Sequence, residues 1–154
     1  MRAGLMDRGA WLLCAALVVH SGCGSTPLEV DLVAVDVTGP VTLTVGSPVE
    51  FVVTATNNRA ERVVWGIGSS SCQLSLFVEG DELELHNIAF RACTVDLAEQ
   101  GLDPGQTRTE VIAWDGHISV SGLMAALPAG VYQVTAMAGD EFESPQLTVT
   151  IVEP

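Results

Sequence analysis

The stretch VEFVVTATN, Val49–Asn57, sets Val49, Phe51, Val53 and Ala55 on one side and Glu50, Thr54 and Thr56 on the other. A period of two marks a strand with one face in a core and the other in water. The pattern recurs along the chain. VTLTV (41–45) alternates Val41, Leu43 and Val45 with threonines, and RVVWGI (62–67) aligns Val63, Trp65 and Ile67. QLSLFVEG (73–80) aligns Leu74, Leu76 and Val78; VYQVTAMA (131–138) aligns Tyr132, Val134 and Ala136; QLTVTIV (146–152) aligns Leu147, Val149 and Ile151. Turn-forming clusters such as VTGP, VGSP, NNRAE, DPGQ, LPAG and AGDE separate these runs. No amphipathic helix is legible, since SGLMAALPAG (121–130) is short and broken by Pro128. Short strands at this spacing predict an all-β chain folded as an antiparallel β-sandwich of about seven to nine strands. Tyr132, second in a strand that follows a Pro-Ala-Gly turn, resembles a tyrosine corner, in which the hydroxyl bonds back to nearby backbone; a plainly half-buried tyrosine is the other reading.

The first 22 residues read differently. Arg2 and Arg8 precede the uncharged run AWLLCAALVV (10–19), and small residues Ser21 and Gly22 follow. This order is that of a secretory signal peptide over residues 1–22, and the run is too short to span a bilayer as a helix. HSGCGS (20–25) then places Cys23 behind a small pair, which resembles the lipobox of bacterial lipoproteins, although His20 stands where that family carries an aliphatic residue. The resemblance implies lipid on Cys23 as the membrane contact, with residues 23–28 as anchor and tether. Several acyl chains at about 0.8 kcal/mol per buried CH₂ would hold it there. GSTPL (24–28) extends about 17 Å, which keeps the following domain, residues 29–154, near the surface. Gly24 is not the aspartate that resembles an inner-membrane retention signal, so the expected location is the cell envelope with the outer membrane preferred. A secreted chain with Cys23 unlipidated is the alternative.

Of four cysteines, Cys14 lies in the leader and Cys23 is assigned to lipid, leaving Cys72 and Cys93 as a pair in an oxidising compartment. A disulfide between them closes a loop of about 20 residues, worth about 3 kcal/mol on chain-entropy grounds. Removing residues 1–22 takes Arg2, Arg8 and Asp7 from the chain and leaves four arginines, no lysine and 18 acidic residues, a net charge of −14. A surface so acidic repels nucleic acid, which is excluded as a partner.

Three segments in order, VEFVVTATNNRAERVVW, GLDPGQTRTEVIAWDG and LPAGVYQVTA, resemble the BsuPI-type intracellular proteinase inhibitor domain, an immunoglobulin-like β-sandwich. The residues that carry the resemblance are Asn57 and Asn58 at a strand end, Leu102, Pro104 and Gly105 in a turn, Trp114 and Asp115 closing a strand, and Pro128, Gly130 and Tyr132 opening the last motif. It spans most of residues 40–152. Their expected roles are architectural: an asparagine side chain capping a turn, Gly105 and Gly130 permitting tight turns, Trp114 packed. What the resemblance implies about activity is proteinase inhibition, whereas the family name describes a cytoplasmic inhibitor and this chain carries an export leader.

Catalytic chemistry is sparse. Past the leader there are two histidines, His86 in ELELHN and His117 in WDGHIS. Gly-x-Ser-x-Gly, His-Glu-x-x-His and Gly-rich phosphate loops are all missing, and GSSSC (68–72) fails at its last position. A Ser-His-Asp set could assemble only across loops. The acidic clusters Glu79, Asp81, Glu82, Glu84 and Asp140, Glu141, Glu143 lack the spacing of a calcium loop. The expectation is a non-enzyme without cofactor or metal. It acts on a protease or another envelope protein through an exposed loop: the Cys72–Cys93 segment, LAEQGLDPGQ (97–106) or WDGHISVSG (114–122). A non-catalytic envelope module that binds protein or glycan is the competing expectation.

Overall fold

The computed structural model describes residues 32–88 and 91–154, so the leader (1–22), Cys23 and the 23–28 tether fall outside the described residues. Within them the regular elements are all strands: β1 (Val33–Thr38), β2 (Thr42–Thr44), β3 (Val49–Asn57), β4 (Val63–Gly68), β5 (Leu74–Gly80), β6 (Leu83–Asn87), β7 (Ala98–Leu102), β8 (Thr107–Trp114), β9 (His117–Val120), β10 (Leu123–Ala126), β11 (Gly130–Ala138), β12 (Phe142–Glu143) and β13 (Leu147–Val152). One sheet has the order β1-β3-β8, and the other runs β2-β13-β11-β5-β6, with β12 paired to β11. Two ribbons, β4-β7 and β9-β10, complete the set. The chain moves repeatedly between the sheets, with β3 and β11 as central strands, and this is the immunoglobulin-like sandwich. The count of 13 exceeds the expected seven to nine because the ribbons and the two- and three-residue pieces β12 and β2 add to the longer strands.

The core follows the period of two. Phe51, Val53 and Ala55 of β3, Leu74, Leu76 and Val78 of β5, Val134, Ala136 and Ala138 of β11, and Val149 and Ile151 of β13 are all buried in one cluster. Each buried valine, leucine, isoleucine or phenylalanine among them contributes about 1.5–3 kcal/mol of transfer free energy, and each alanine less. Trp114 packs on Phe51 with ring centroids 6.1 Å apart, and its indole Nε1 donates to His117 O at 2.8 Å. Two expected inward residues point out. Ile67 is 72% exposed because the β4-β7 register shifts between Val64 and Gly66, and a one-residue slip exchanges the faces of a strand. Val41 is exposed because β2 begins only at Thr42, at the sheet edge, where it pairs with β13 in parallel.

Asn57 fixes one end of the sandwich. It is fully buried, and its Nδ2 donates to Glu61 O at 2.8 Å and Leu102 O at 3.0 Å while its Oδ1 accepts from Arg59 N at 2.9 Å. Asn58 N donates to Leu32 O at 3.1 Å. The turn beside it has Pro104 followed by Gly105 at φ 69°, with Gln106 N donating to Asp103 O at 3.0 Å; Gly105 takes the left-handed position that a type II turn reserves for glycine. Gly130, by contrast, opens β11 with no positive φ, and an added Cβ would sit 3.4 Å from the Tyr132 ring, so it is a strand residue and not a turn residue.

At the other end Tyr132 is buried and its hydroxyl donates to Pro128 O at 2.9 Å, four residues upstream. This ties the link from β10 to the first turn of β11, as a tyrosine corner does. Tyr132→Phe keeps the ring and strands one carbonyl. It should lower unfolding stability by about 1 kcal/mol in urea titrations with an unchanged m-value. An unaltered midpoint would mean that the corner bond carries no weight.

Candidate functional site

The Cys72–Cys93 disulfide is formed, with Cα atoms 5.7 Å apart, and it joins two connections that leave the β4-β7 ribbon. Residues 69–73 run from β4 to β5; residues 91–97 run into β7, whose first residue Ala98 pairs with Gly68. Both connections are fixed to one buried carboxylate. Glu110 lies on the inward face of β8 with Ile112 and Trp114. Its Oε1 accepts from Gln73 N at 2.9 Å, and its Oε2 accepts from Arg91 Nη1 at 2.5 Å. Arg91 also donates to Leu74 O, and Arg108 stands 3.7 Å from Glu110. Gln73 and Gln100 fill the space between: Gln73 Oε1 accepts from Gly101 N, and Gln100 Nε2 donates to Ser69 O and Cys72 O, both at 3.1 Å.

Above this base sits a hydroxyl network. Thr94 N donates to Ser71 Oγ at 2.9 Å, and the Thr94 hydroxyl lies 2.9 Å from Ser69 Oγ and donates to the Asp96 carboxylate. Ser70 N donates to the same Asp96 oxygen at 3.2 Å. Hydrogen bonds from the Thr94 hydroxyl, then from the Ser70 hydroxyl and N–H, stabilise the ionised carboxyl and lower its pKa to about 2. The two neighbours of this anchored carboxylate point into water: Val95 is fully exposed and Leu97 is 87% exposed, with Ile67 exposed on the adjoining ribbon. Val95 is thus a branched aliphatic side chain at full exposure between two residues that are tethered to the 69–71 turn.

The other sequence candidates are placed elsewhere. Asn57, Asn58, Pro104 and Gly105 form the turn cluster already described, and Gly130 and Tyr132 form the corner. Asp115 Oδ1 accepts from His117 N at 3.2 Å and lies 3.1 Å from His117 Nδ1, close enough for an ion pair on protonation though without hydrogen-bond geometry. His86 Nδ1 meets Glu84 O at 2.7 Å. Among the described residues no serine hydroxyl or thiol bonds to either histidine, and no group of three or more His, Cys, Asp or Glu could hold a metal ion. Two surface hollows, of about 270 Å³ beside Trp114, His117 and Met124 and about 320 Å³ beside Asp81, Leu83 and Tyr132, bring no such set together.

Of the three candidate loops expected from the sequence, Cys72–Cys93, 97–106 and 114–122, the second contains the exposed Leu97, whereas Val95 lies between the first and the second. Alternation would have shown Glu110 on the face of Ile112 and Trp114, and a buried carboxylate signals a partner to be found. Nothing in the sequence orients Val95, because residues 91–97 belong to no ladder.

No family model and no curated protein matches the chain. Solved structures share its fold over much of its length. A β-glucosidase from Listeria innocua superimposes with a TM-score of 0.50 at 10% identity, over 79% of this chain and 16% of the enzyme. The CARDB domain of a Pyrococcus furiosus protein, solved in complex with di-metal ions, gives 0.48 at 15% identity, over 79% of this chain and 94% of that domain. A β-glucosidase from Erythrobacter marinus gives 0.46 at 13%, over 77% of this chain and 15% of the enzyme. The chain thus spans about a sixth of the length of these glucosidases, and at such identities the likeness concerns the fold alone.

Two outcomes test the site. Glu110→Gln leaves Arg91 without its anion and should cost about 3 kcal/mol in global unfolding; a loss below a few tenths would show the clamp to be ornamental. The Asp96 carboxyl, followed by NMR, should titrate at about 2. Its depressed value means that the stabilising contribution is complete above the usual carboxylate range and is lost as pH falls through about 2. A midpoint near the ordinary value would show that the hydroxyl bonds do not persist in solution.

Proposed function

We propose that this chain is a proteinase inhibitor, exported and lipid-anchored at Cys23 in the cell envelope, that engages its target with the segment Thr94–Leu97. The observation that carries the reading is the combination of full exposure at Val95 with anchoring on both sides of it. An inhibitor of this kind must offer a protease an already ordered segment, since ordering it on binding would cost about 0.5–1.5 kcal/mol per immobilised side chain. The disulfide, the Glu110 clamp and the hydroxyl network are the means of ordering. The ordered set of motifs resembling the BsuPI-type domain supports the same function, and a disulfide suits a compartment outside the cytoplasm. On this reading the protein performs no catalysis of its own.

A second reading, a non-catalytic binding or structural module of the envelope, is favoured by the β9-β10 ribbon. Val120, Leu123 and Met124 are exposed there, and no Asp, Glu, Lys or Arg occurs between Asp115 and Asp140. Such a ribbon fits a protein contact without a protease.

Titration of the purified, oxidised chain against serine, cysteine and metalloproteases separates the two. The inhibitor reading expects saturable, stoichiometric inhibition of at least one enzyme, weakened on the order of tenfold or more when the Cys72–Cys93 bond is reduced and capped. A folded chain that inhibits none of them would leave the envelope-module reading in its place.

A further inference from the structure

We infer, on the basis of the inhibitor reading above, that Val95 is the side chain that enters the target's primary specificity pocket, and that the target is an endopeptidase selective for small branched aliphatic residues. The peptide bond offered to the enzyme is then Val95–Asp96.

Among the described residues of the disulfide end, the three most exposed aliphatic side chains are Ile67, Val95 and Leu97, and of these Val95 alone satisfies the geometry of this role. Ile67 lies in β4, opposite Glu99 of β7, so its backbone is occupied by a ladder. Leu97 immediately precedes Ala98, which is paired with Gly68, so the bond after it is held in the ribbon and cannot enter a narrow cleft. Val95 sits at a bend outside any ladder, with the residue on each side tied back to the 69–72 turn. Thr94 is held through its N–H to Ser71 Oγ and lies next to the disulfide-bonded Cys93. Asp96 is held by Ser70 N. The Thr94 hydroxyl donates to the Asp96 carboxylate, which bridges the two flanks directly across Val95.

That bridge has a chemical consequence. Hydrolysis of Val95–Asp96 adds hydroxide from water to the Val95 carbonyl carbon and a proton to the Asp96 nitrogen. The two new ends would remain side by side, one held by Thr94 and the disulfide, the other by the Asp96 side chain. Ends kept together favour expulsion of the same water and re-formation of the bond, because the reverse reaction is effectively intramolecular. A protease cutting here would release its product slowly, which is inhibition. The carboxylate next to Val95, on a chain whose net charge past the leader is −14, also favours a target whose cleft rim is basic.

The test uses the full oxidised chain and four endopeptidases, selective for small aliphatic, aromatic, Lys/Arg and Glu residues, with Val95→Arg, Leu97→Arg and Thr94→Val as variants. All three sites are on the surface, and circular dichroism confirms folding. The expected result is inhibition of the aliphatic-selective enzyme. Val95→Arg should weaken it about 100-fold, the size of an interface hot spot, and transfer inhibition to the Lys/Arg-selective enzyme. Leu97→Arg should transfer nothing. Thr94→Val should raise the rate of cleavage at Val95–Asp96, read by mass spectrometry, about tenfold. Inhibition confined to another enzyme class, or specificity transferred by Leu97→Arg, would overturn this assignment while leaving the inhibitor reading in place. No inhibition by the unaltered folded chain would overturn both.

Discussion

Glu110 is the constraint around which the presented end of this protein is arranged. Strand alternation aims its carboxylate into a sandwich whose neighbouring inward residues are Ile112 and Trp114. Burying an unpaired carboxylate costs several kcal/mol, so the fold is viable only where cations and N–H donors come to it. Arg91, Arg108 and the Gln73 N–H do so. Because Gln73 neighbours Cys72 and Arg91 lies two residues before Cys93, one interaction sets where both half-cystines stand. The disulfide therefore closes a geometry already imposed by the core, and the hydroxyl network of Ser69, Ser70, Ser71, Thr94 and Asp96 is built on that base.

The rigid part and the presenting part use different chemistry. Between the sheets the contacts are aliphatic and aromatic, with Asn57 at one end and Tyr132 at the other supplying the polar bonds that fix the connections. At the disulfide end the contacts are short hydroxyl and carboxylate bonds near water, which set backbone position without covering the side chains at the apex. Loops of a β-sandwich carry function because the sheets hold them in place, and this chain adds a covalent brace to the general arrangement.

Much of the fold was legible in the sequence, and the reason is the period of two. Phe51, Val53, Leu76, Val134 and Val149 were read as inward from alternation, and they form the core. The all-strand architecture followed from the same local signal, whereas the Cys72–Cys93 pair followed from the count of cysteines left once Cys14 and Cys23 were assigned elsewhere. What alternation could not show is a change of phase. The shift at Val64–Gly66 turns Ile67 outward, and no residue type announces it. The parallel pairing of β2 with β13 depends on a long-range register with no local signature. The candidate site was half legible: the disulfide pointed to the correct end of the molecule, but Val95 gains its place only from partners at Ser69, Ser70 and Ser71, more than 20 residues away. Its exposure is a property of tertiary hydrogen bonding and not of its neighbours in sequence.

The account stands on one physical statement, that residues 94–97 are held as firmly as the sheets that carry them. Backbone ¹⁵N relaxation of the oxidised protein measures this directly. Order parameters for Thr94, Val95, Asp96 and Leu97 should match those of β8 and β11, near the value of about 0.85 typical of rigid backbone. Values below about 0.6 across the segment, with the sheets rigid, would contradict the account, because a loop that moves on that scale is not braced by the network described.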